Sequence, residues 1–309
     1  MIEVSDRKTT NKQKKTILSK LSLNKKTAPY YFLSPILILF CIFFVYPIFH
    51  SLILSLTEFD AGKYTFVGLN NYKRLIHDPT FIIALKNTII YLILQVPPMI
   101  ILALIFAVVL DQKFLRAKGF FRVSIFLPAV TGLVAYSLVF KLLFNLDYGL
   151  INKFIELLRF QGVDWLNRPI SAKLAVMISV TWRWTGYNMI IMIAGLQGIS
   201  KEIYEACEID GASKLQAFLY ITIPLMKPII LFCAITSTIG TLQLFDQSYI
   251  LTKGGPDNAT ITIVHYLYNE GFRSLNLGYA AAMSYILVVL TGVLSIIQFI
   301  LGKDGSKNG

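Results

Sequence analysis

Cysteine, histidine and charge are all scarce in this chain. Cys41, Cys207 and Cys233 are the only cysteines in 309 residues, and no two of them stand at metal or redox spacing. Two lie inside apolar runs, which argues against a disulfide framework. His50, His77 and His265 are scattered, and the sequence contains neither His-Glu-x-x-His nor Gly-x-Ser-x-Gly. Gly254-Gly255-Pro256 lacks the following Gly-Lys that would make a phosphate-cradling loop. No catalytic site, metal or nucleotide cofactor is expected in this chain.

Charged residues make up only 15% of the chain against 55% hydrophobic ones, and the apolar residues come in blocks rather than at a helical or strand period. That pattern excludes an ordinary soluble domain and predicts a polytopic membrane protein. The net charge of +12 is not a nucleic-acid signature, because much of it precedes the first block. Arg7, Lys8, Lys12, Lys14, Lys15, Lys20, Lys25 and Lys26 face only Glu3 and Asp6, as in a tail retained in the cytoplasm. Residues 1–29 are read as that tail, 30–302 as the membrane domain and 303–309 as a second cytoplasmic tail.

Six spans are expected, at 30–56, 81–110, 120–145, 173–196, 218–245 and 280–301, with both termini in the cytoplasm. Pro97-Pro98 removes two backbone donors inside the second span and should bend or break it. Gln95 just before it either lines a cavity or belongs to a packed kink. Lys113, Arg116, Lys118 and Arg122 mark the next connection as cytoplasmic, and Pro128 should kink the third span. The fourth span carries Arg183, costly in lipid unless paired or facing water, among Trp182, Trp184, Tyr187 and Asn188. Rings beside amides suit a sugar site, where rings cover C–H faces and amides bind hydroxyls; an interfacial aromatic belt gives the same residues. Gln243 and Asp246 lie near the outer end of the fifth span. A candidate substrate path is therefore Gln95, Arg183, Trp184, Tyr187, Asn188, Gln243 and Asp246.

The polar stretch between spans four and five, 198–217, has its own helical pattern. Ser200 suits an N-cap, and Glu202 and Glu205 sit in the first turns, where the helix dipole favours negative charge. Ile203, Ala206, Cys207 and Asp210 fall on one side, Gly211 breaks the pattern, and a second short helix should begin near Ala212. Small residues there let a partner approach closely. Lys201 and Lys214 against four acids are unusual for a cytoplasmic loop and suggest a basic partner surface.

Glu205-Ala206-Cys207, Gly211, Ile221, Ile223 and Pro224 also resemble, at every spacing, the E-A-A…G…I-x-L-P signature of inner-membrane permeases of binding-protein-dependent ABC importers. Cys207 and Ile223 are mild departures. Three further segments are similar to the sugar-type members. They are Phe66-x-Gly68-Leu69-x-Asn71-Tyr72, then Trp182-x-Trp184-x-Gly186 with Gly195-Leu196-Gln197, and Thr252-x-Gly254-Gly255-Pro256-x-Asn258-Ala259-Thr260. The last segment should form a tight turn followed by an extended, β-branched stretch.

The resemblance implies an all-α polytopic fold, with six transmembrane helices and a cytoplasmic coupling helix between spans four and five, the type I ABC importer permease fold. It implies a second homologous permease, two cytoplasmic ATPase subunits that carry ATP and Mg, an extracellular solute-binding protein, and a sugar substrate in a bacterial plasma membrane. Glu202, Glu205, Ala206, Cys207, Asp210 and Gly211 would couple to the ATPase. A polyol, glycerol phosphate or anionic sugar is the alternative cargo. A secondary transporter would need internal repeats and intramembrane carboxylates, and neither is seen.

Overall fold

The computed structural model describes residues 28–60, 63–112 and 115–304. The basic run at 1–27, the turn residues Ala61 and Gly62, Lys113 with Phe114, and residues 305–309 lie outside the described residues. The chain divides into two units, Met1–Ile53 and Leu54–Gly309. The first is described by helix α1, Ala28–Ser55, which is apolar throughout and widens into a π turn at Cys41–Val45.

In the second unit, strands β1 (Thr57–Asp60) and β2 (Lys63–Phe66) form an antiparallel hairpin that pairs Thr57 with Phe66. The fold is therefore helical with one small hairpin, not purely α. The hairpin is followed by α2 (Asn70–His77), where Asn71 donates to the carbonyls of Ser55 and Thr57, both at 2.9 Å. This is the structural work of the Phe-x-Gly-Leu-x-Asn-Tyr segment: its buried amide closes the hairpin base.

Helix α3, Pro79–Asp111, starts at Asp78, whose carboxylate accepts from the amides of Thr80 (2.8 Å) and Phe81 (3.3 Å). It continues as one helix through Pro97 and Pro98, so of the expected bend or break the break does not occur. Two lost backbone bonds are tolerated because Gln95, Val96, Met99 and Ile100, all buried, hold the helix on both sides of the prolines. At its far end Lys118 and Arg122 donate to the carbonyls of Asp111 and Leu110, so the basic connection caps the negative pole of α3.

The third expected span is two helices, α4 (Lys118–Val130) and α5 (Leu133–Leu143), bent by 101° at Thr131-Gly132. The break falls after Pro128 rather than at it, where the residue before Gly132 leaves helical geometry with ψ of 138°. A short α6, Leu150–Leu157, leads to α7, Pro169–Gln197. Beyond it lie α8 (Lys201–Ile209), α9 (Lys214–Leu242, with a π turn at Phe218–Thr222), α10 (Ile263–Tyr268) and α11 (Leu277–Asp304).

Among the described residues, four helices, α1, α3, α9 and α11, are long and apolar enough to cross a membrane, or five with the bent pair. α7, the expected fourth span, is not among them. It is long enough at 29 residues but carries Arg183, Asn188 and several hydroxyls. Its position explains this: half its residues, Arg183 and Asn188 among them, are buried against α3, α4 and α9, so protein surrounds its polar groups.

The core runs along α7. Met189, Met192, Ile193 and Leu196 pack with Val96, Ala103 and Ala107 of α3 and with Met226 and Cys233 of α9. Toward the other end Ala175, Val176 and Val180 meet Tyr91, Tyr136, Phe140 and Phe144. Gly186 lets α7 cross α4 closely, since a Cβ there would collide with the backbone carbonyl of Ile125. α8 follows one end of α7, and the segment after α9 lies at the opposite end, because α7 and α9 are joined through α8.

Candidate functional site

Between α3, α5, α7 and α9 lies a cavity of about 560 Å³. Of the seven residues put on a substrate path, Gln95, Trp184, Tyr187, Asn188, Gln243 and Asp246 line it. Trp184 and Tyr187 are about 40% exposed and meet edge to face at 5.8 Å, so their ring surfaces stand in the cavity. Asn188, buried, donates to the carbonyl of Trp184 (3.1 Å) and exchanges hydrogen bonds with Ser237 on α9 (3.2 and 3.4 Å). Gln95, also buried, accepts from Thr241 at 3.1 Å, and its amide N–H points to the sulfur of Met99 at 3.2 Å, a weak acceptor.

Arg183 does not line this cavity. It is buried behind Trp184, donates to the carbonyl of Ala129 at 3.3 Å, and lies over the rings of Tyr136 (4.6 Å) and Trp184 (5.4 Å). Ala129 is in the last turn of α4, so the guanidinium caps that helix end beside the bend. The sequence reading missed Thr236, Ser237, Gly240 and Thr241, which also line the wall, and placed Gln247 at the outer end of the fifth span without putting it on the path. The signal was present: Thr236-Ser237-Thr238-Ile239-Gly240-Thr241 is a run of small hydroxyl residues inside an apolar helix.

The second site is the α7–α9 connection. Ser200 caps α8 by accepting from the amide of Glu202 at 3.3 Å, and its hydroxyl donates to the Glu202 carboxylate at 2.6 Å. Glu202, Glu205, Ala206 and Asp210 are exposed, Cys207 is half-buried, and no residue of α8 is buried. Ile209, not singled out by the sequence pattern, is 86% exposed. Gly211 has φ +77° and closes the helix, with Asp210, Gly211 and Ala212 amides reaching back to Ala206, Glu208 and Cys207. The next helix starts at Lys214, slightly later than expected, with Ser213 and Gln216 forming a reciprocal capping box. Tyr204 hydroxyl meets Thr222 Oγ1 at 3.0 Å, which ties α8 to the base of α9.

At the opposite end, the Thr252–Thr260 segment is a turn held by its own hydroxyls. Thr252 and Thr260 share a 2.6 Å hydrogen bond, Thr260 Oγ1 donates to Gly255, and Asn87 of α3 donates to the carbonyls of Asn258 and Ile261. The stretch after it is extended only as far as Thr262, which caps α10; the expected longer β-like run is replaced by helix. Ser248 donates to the Thr260 carbonyl, so the His265 Nδ1–H donates to Ser248 Oγ at 2.7 Å. Burial, with Arg273 nearby, lowers the His265 imidazole to about 4. Burial raises the Asp78 carboxyl, but hydrogen bonds from Tyr266, Tyr279 and the amides of Phe81 and Thr80 outweigh it, and the net shift is downward.

A helical bundle that holds a mostly apolar, ring-lined cavity with several polar groups in its wall, and presents a capped acidic helix at one end, has the architecture of a membrane permease. The chain belongs to the family of binding-protein-dependent transport system inner membrane components, whose profile matches residues 84–304. It is 47% identical over 278 residues to the lactose transport system permease protein LacF of Rhizobium radiobacter, covering 88% of this chain and 93% of that one. It is 35% identical over 291 residues to the arabinooligosaccharides transport system permease protein AraP of Bacillus subtilis (94% and 92% covered). Its fold matches a chain of a bacterial alginate ABC transporter solved with an alginate pentasaccharide-bound periplasmic protein, at TM-score 0.80 and 21% identity over 92% of this chain and 97% of that chain. Members of this family are transport subunits and not enzymes.

Proposed function

We propose that this chain is one permease of an ATP-driven importer that takes up a neutral sugar or oligosaccharide. The observation that carries the reading is the cavity in which the Trp184 and Tyr187 rings stand beside Gln243 and Asp246, with the buried amides of Gln95 and Asn188 holding its wall. Rings cover the C–H faces of a sugar and amides exchange hydrogen bonds with its hydroxyls. The names of the relatives, which are lactose and arabinooligosaccharide permeases, support the same class. An anionic cargo is less well supported, because Arg183 does not line the cavity and its guanidinium donates to the Ala129 carbonyl at the end of α4.

In this reading a second, homologous permease completes the path, and a solute-binding protein delivers sugar at the end formed by residues 243–276. Two ATPase subunits on separate chains, which hold ATP and Mg, bind α8 and its counterpart; both termini lie on that cytoplasmic side. Closure of the ATPase dimer moves α8, and the bond from Tyr204 to Thr222 and the α7–α9 core carry the motion to the cavity wall.

The test is ATPase stimulation and uptake in liposomes by the complex with its binding protein, over a panel of neutral di- to pentasaccharides, glycerol phosphate and uronic-acid oligosaccharides. Stimulation by a neutral saccharide is expected. Stimulation by the anionic compounds alone would overturn the substrate class, and ATP turnover by this chain in isolation would overturn the division of labour.

A further inference from the structure

Arg183 is a buried cation without a counter-ion. It is 6% exposed, and among the described residues the ion pairs join Arg122 to Asp111 and Lys153 to Glu156. Such a charge is costly unless something nearby compensates it. One carbonyl does so, that of Ala129 at 3.3 Å, while Nε and Nη1 have no hydrogen-bond partner among the described residues. The rest comes from two ring faces, with the guanidinium carbon 4.6 Å from the Tyr136 centroid and 5.4 Å from that of Trp184. A desolvated guanidinium is attracted to such faces, and most of all to an indole.

The three partners differ in how they are held. Ala129 contributes backbone of α4 and Tyr136 a side chain of α5, so they lie on the two sides of the 101° bend. Tyr136 is 2% exposed and packs against Phe140 (6.0 Å) and Trp182 (6.5 Å). Trp184 is the partner with room to move, being 37% exposed in a cavity that Arg183 itself does not line. Residues one apart on a helix do not face one another by default, so helix geometry alone does not give this contact.

We infer that Arg183 is a positioning residue for the transport site: anchored on both sides of the bend, its guanidinium holds the Trp184 indole in place in the cavity wall. An indole that swung off it would leave a buried cation with one ring fewer, and that penalty restrains the ring. The consequence for transport rests on the sugar reading of the cavity; the restraint on the ring does not.

The experiment compares wild type, Arg183→Lys and Arg183→Gln in the complex with its binding protein, on a neutral saccharide that wild type imports. Lys keeps the charge and loses the planar fork; Gln keeps a donor for the Ala129 carbonyl and loses the charge. KM should rise about twofold for Lys and about fivefold for Gln with maximal rate unchanged. A second readout needs no transport. In the full chain in detergent with Trp165→Phe and Trp182→Phe, Trp184 fluorescence anisotropy should fall in the order wild type, Lys, Gln. If the Gln chain does not insert, the Lys chain decides by the same two readouts. Wild-type KM and wild-type anisotropy in the inserted variants overturn the positioning role, whatever happens to maximal rate or expression. Lower anisotropy with wild-type KM leaves that role standing and overturns the sugar reading of the cavity.

Discussion

Asn188 shows how one side chain can hold a cavity open. Its amide is used on both sides, to the Trp184 carbonyl within α7 and to Ser237 across to α9, so it fixes the helix pair and the indole together. Trp184 itself is partly exposed and leans on Tyr187, which leaves it free to be removed without leaving a buried hole. Trp184→Ala should therefore leave membrane insertion and expression intact and raise the transport KM about tenfold, read by uptake kinetics. His265 makes a different prediction. Its folded value near 4 lies below the ordinary 6.5, so the folded protein binds fewer protons between them. Stability contributed by the neutral ring is complete above pH 6.5 and is lost as pH falls toward 4, by about 3 kcal/mol in all. The thermal unfolding midpoint in detergent should drop across that window, and His265→Gln should flatten the drop. Asp78, also lowered, adds acid sensitivity below the usual carboxylate range.

Among the elements, α8 was the most legible in the sequence. Ser200, the early acids and Gly211 are local signals: Ser200 accepts from the Glu202 amide and donates to its carboxylate, Gly211 closes the last turn, and the helix forms where they place it. The bend after α4 was not legible as such: Pro128 announces a disturbance, but nothing local fixes the 101° angle at Thr131-Gly132, beside which Arg183 of α7 donates to the Ala129 carbonyl. Arg183 was misplaced for the same reason, since an ionisable residue in an apolar run marks a polar need without saying whether a ligand or a helix end meets it. The unbroken α3 is the converse case, in which tertiary packing overrides two prolines. At Gly211 a Cβ would meet nothing within 4 Å, so any penalty is conformational. Gly211→Ala should cost about 1 kcal/mol and remain functional. Gly211→Pro cannot adopt φ +77° and should abolish coupled transport without preventing insertion, as should Glu205→Lys; the readout is substrate-stimulated ATP turnover of the complex. At Gly186 the constraint is steric, and Gly186→Val should cost about 3 kcal/mol or more by forcing α4 off α7, measured as a lowered unfolding temperature.

At the scale of the whole molecule, α7 and α9 separate two ends with different chemistry. One end carries α8, with no buried residue, four acids within 202–210 and Ile209 86% exposed; the other carries a turn bolted by Asn87 and a packed cluster of rings around Tyr249. On the proposed function the first meets the ATPase and the second meets the sugar and its binding protein. That asymmetry makes a directional prediction. Single cysteines introduced at Glu202, Ala206 and Ile209, in a chain whose Cys41, Cys207 and Cys233 are replaced by Ser or Ala, should crosslink to the ATPase subunit of the reconstituted complex. If α8 moves with the closing ATPase dimer as proposed, the yield should change when ATP is added. Cysteines at Tyr268 or Phe272 should give none of these products and should instead be protected by the binding protein. ATPase crosslinks from residues 268–272, or none from α8, would reverse or remove the polarity on which the transport cycle depends.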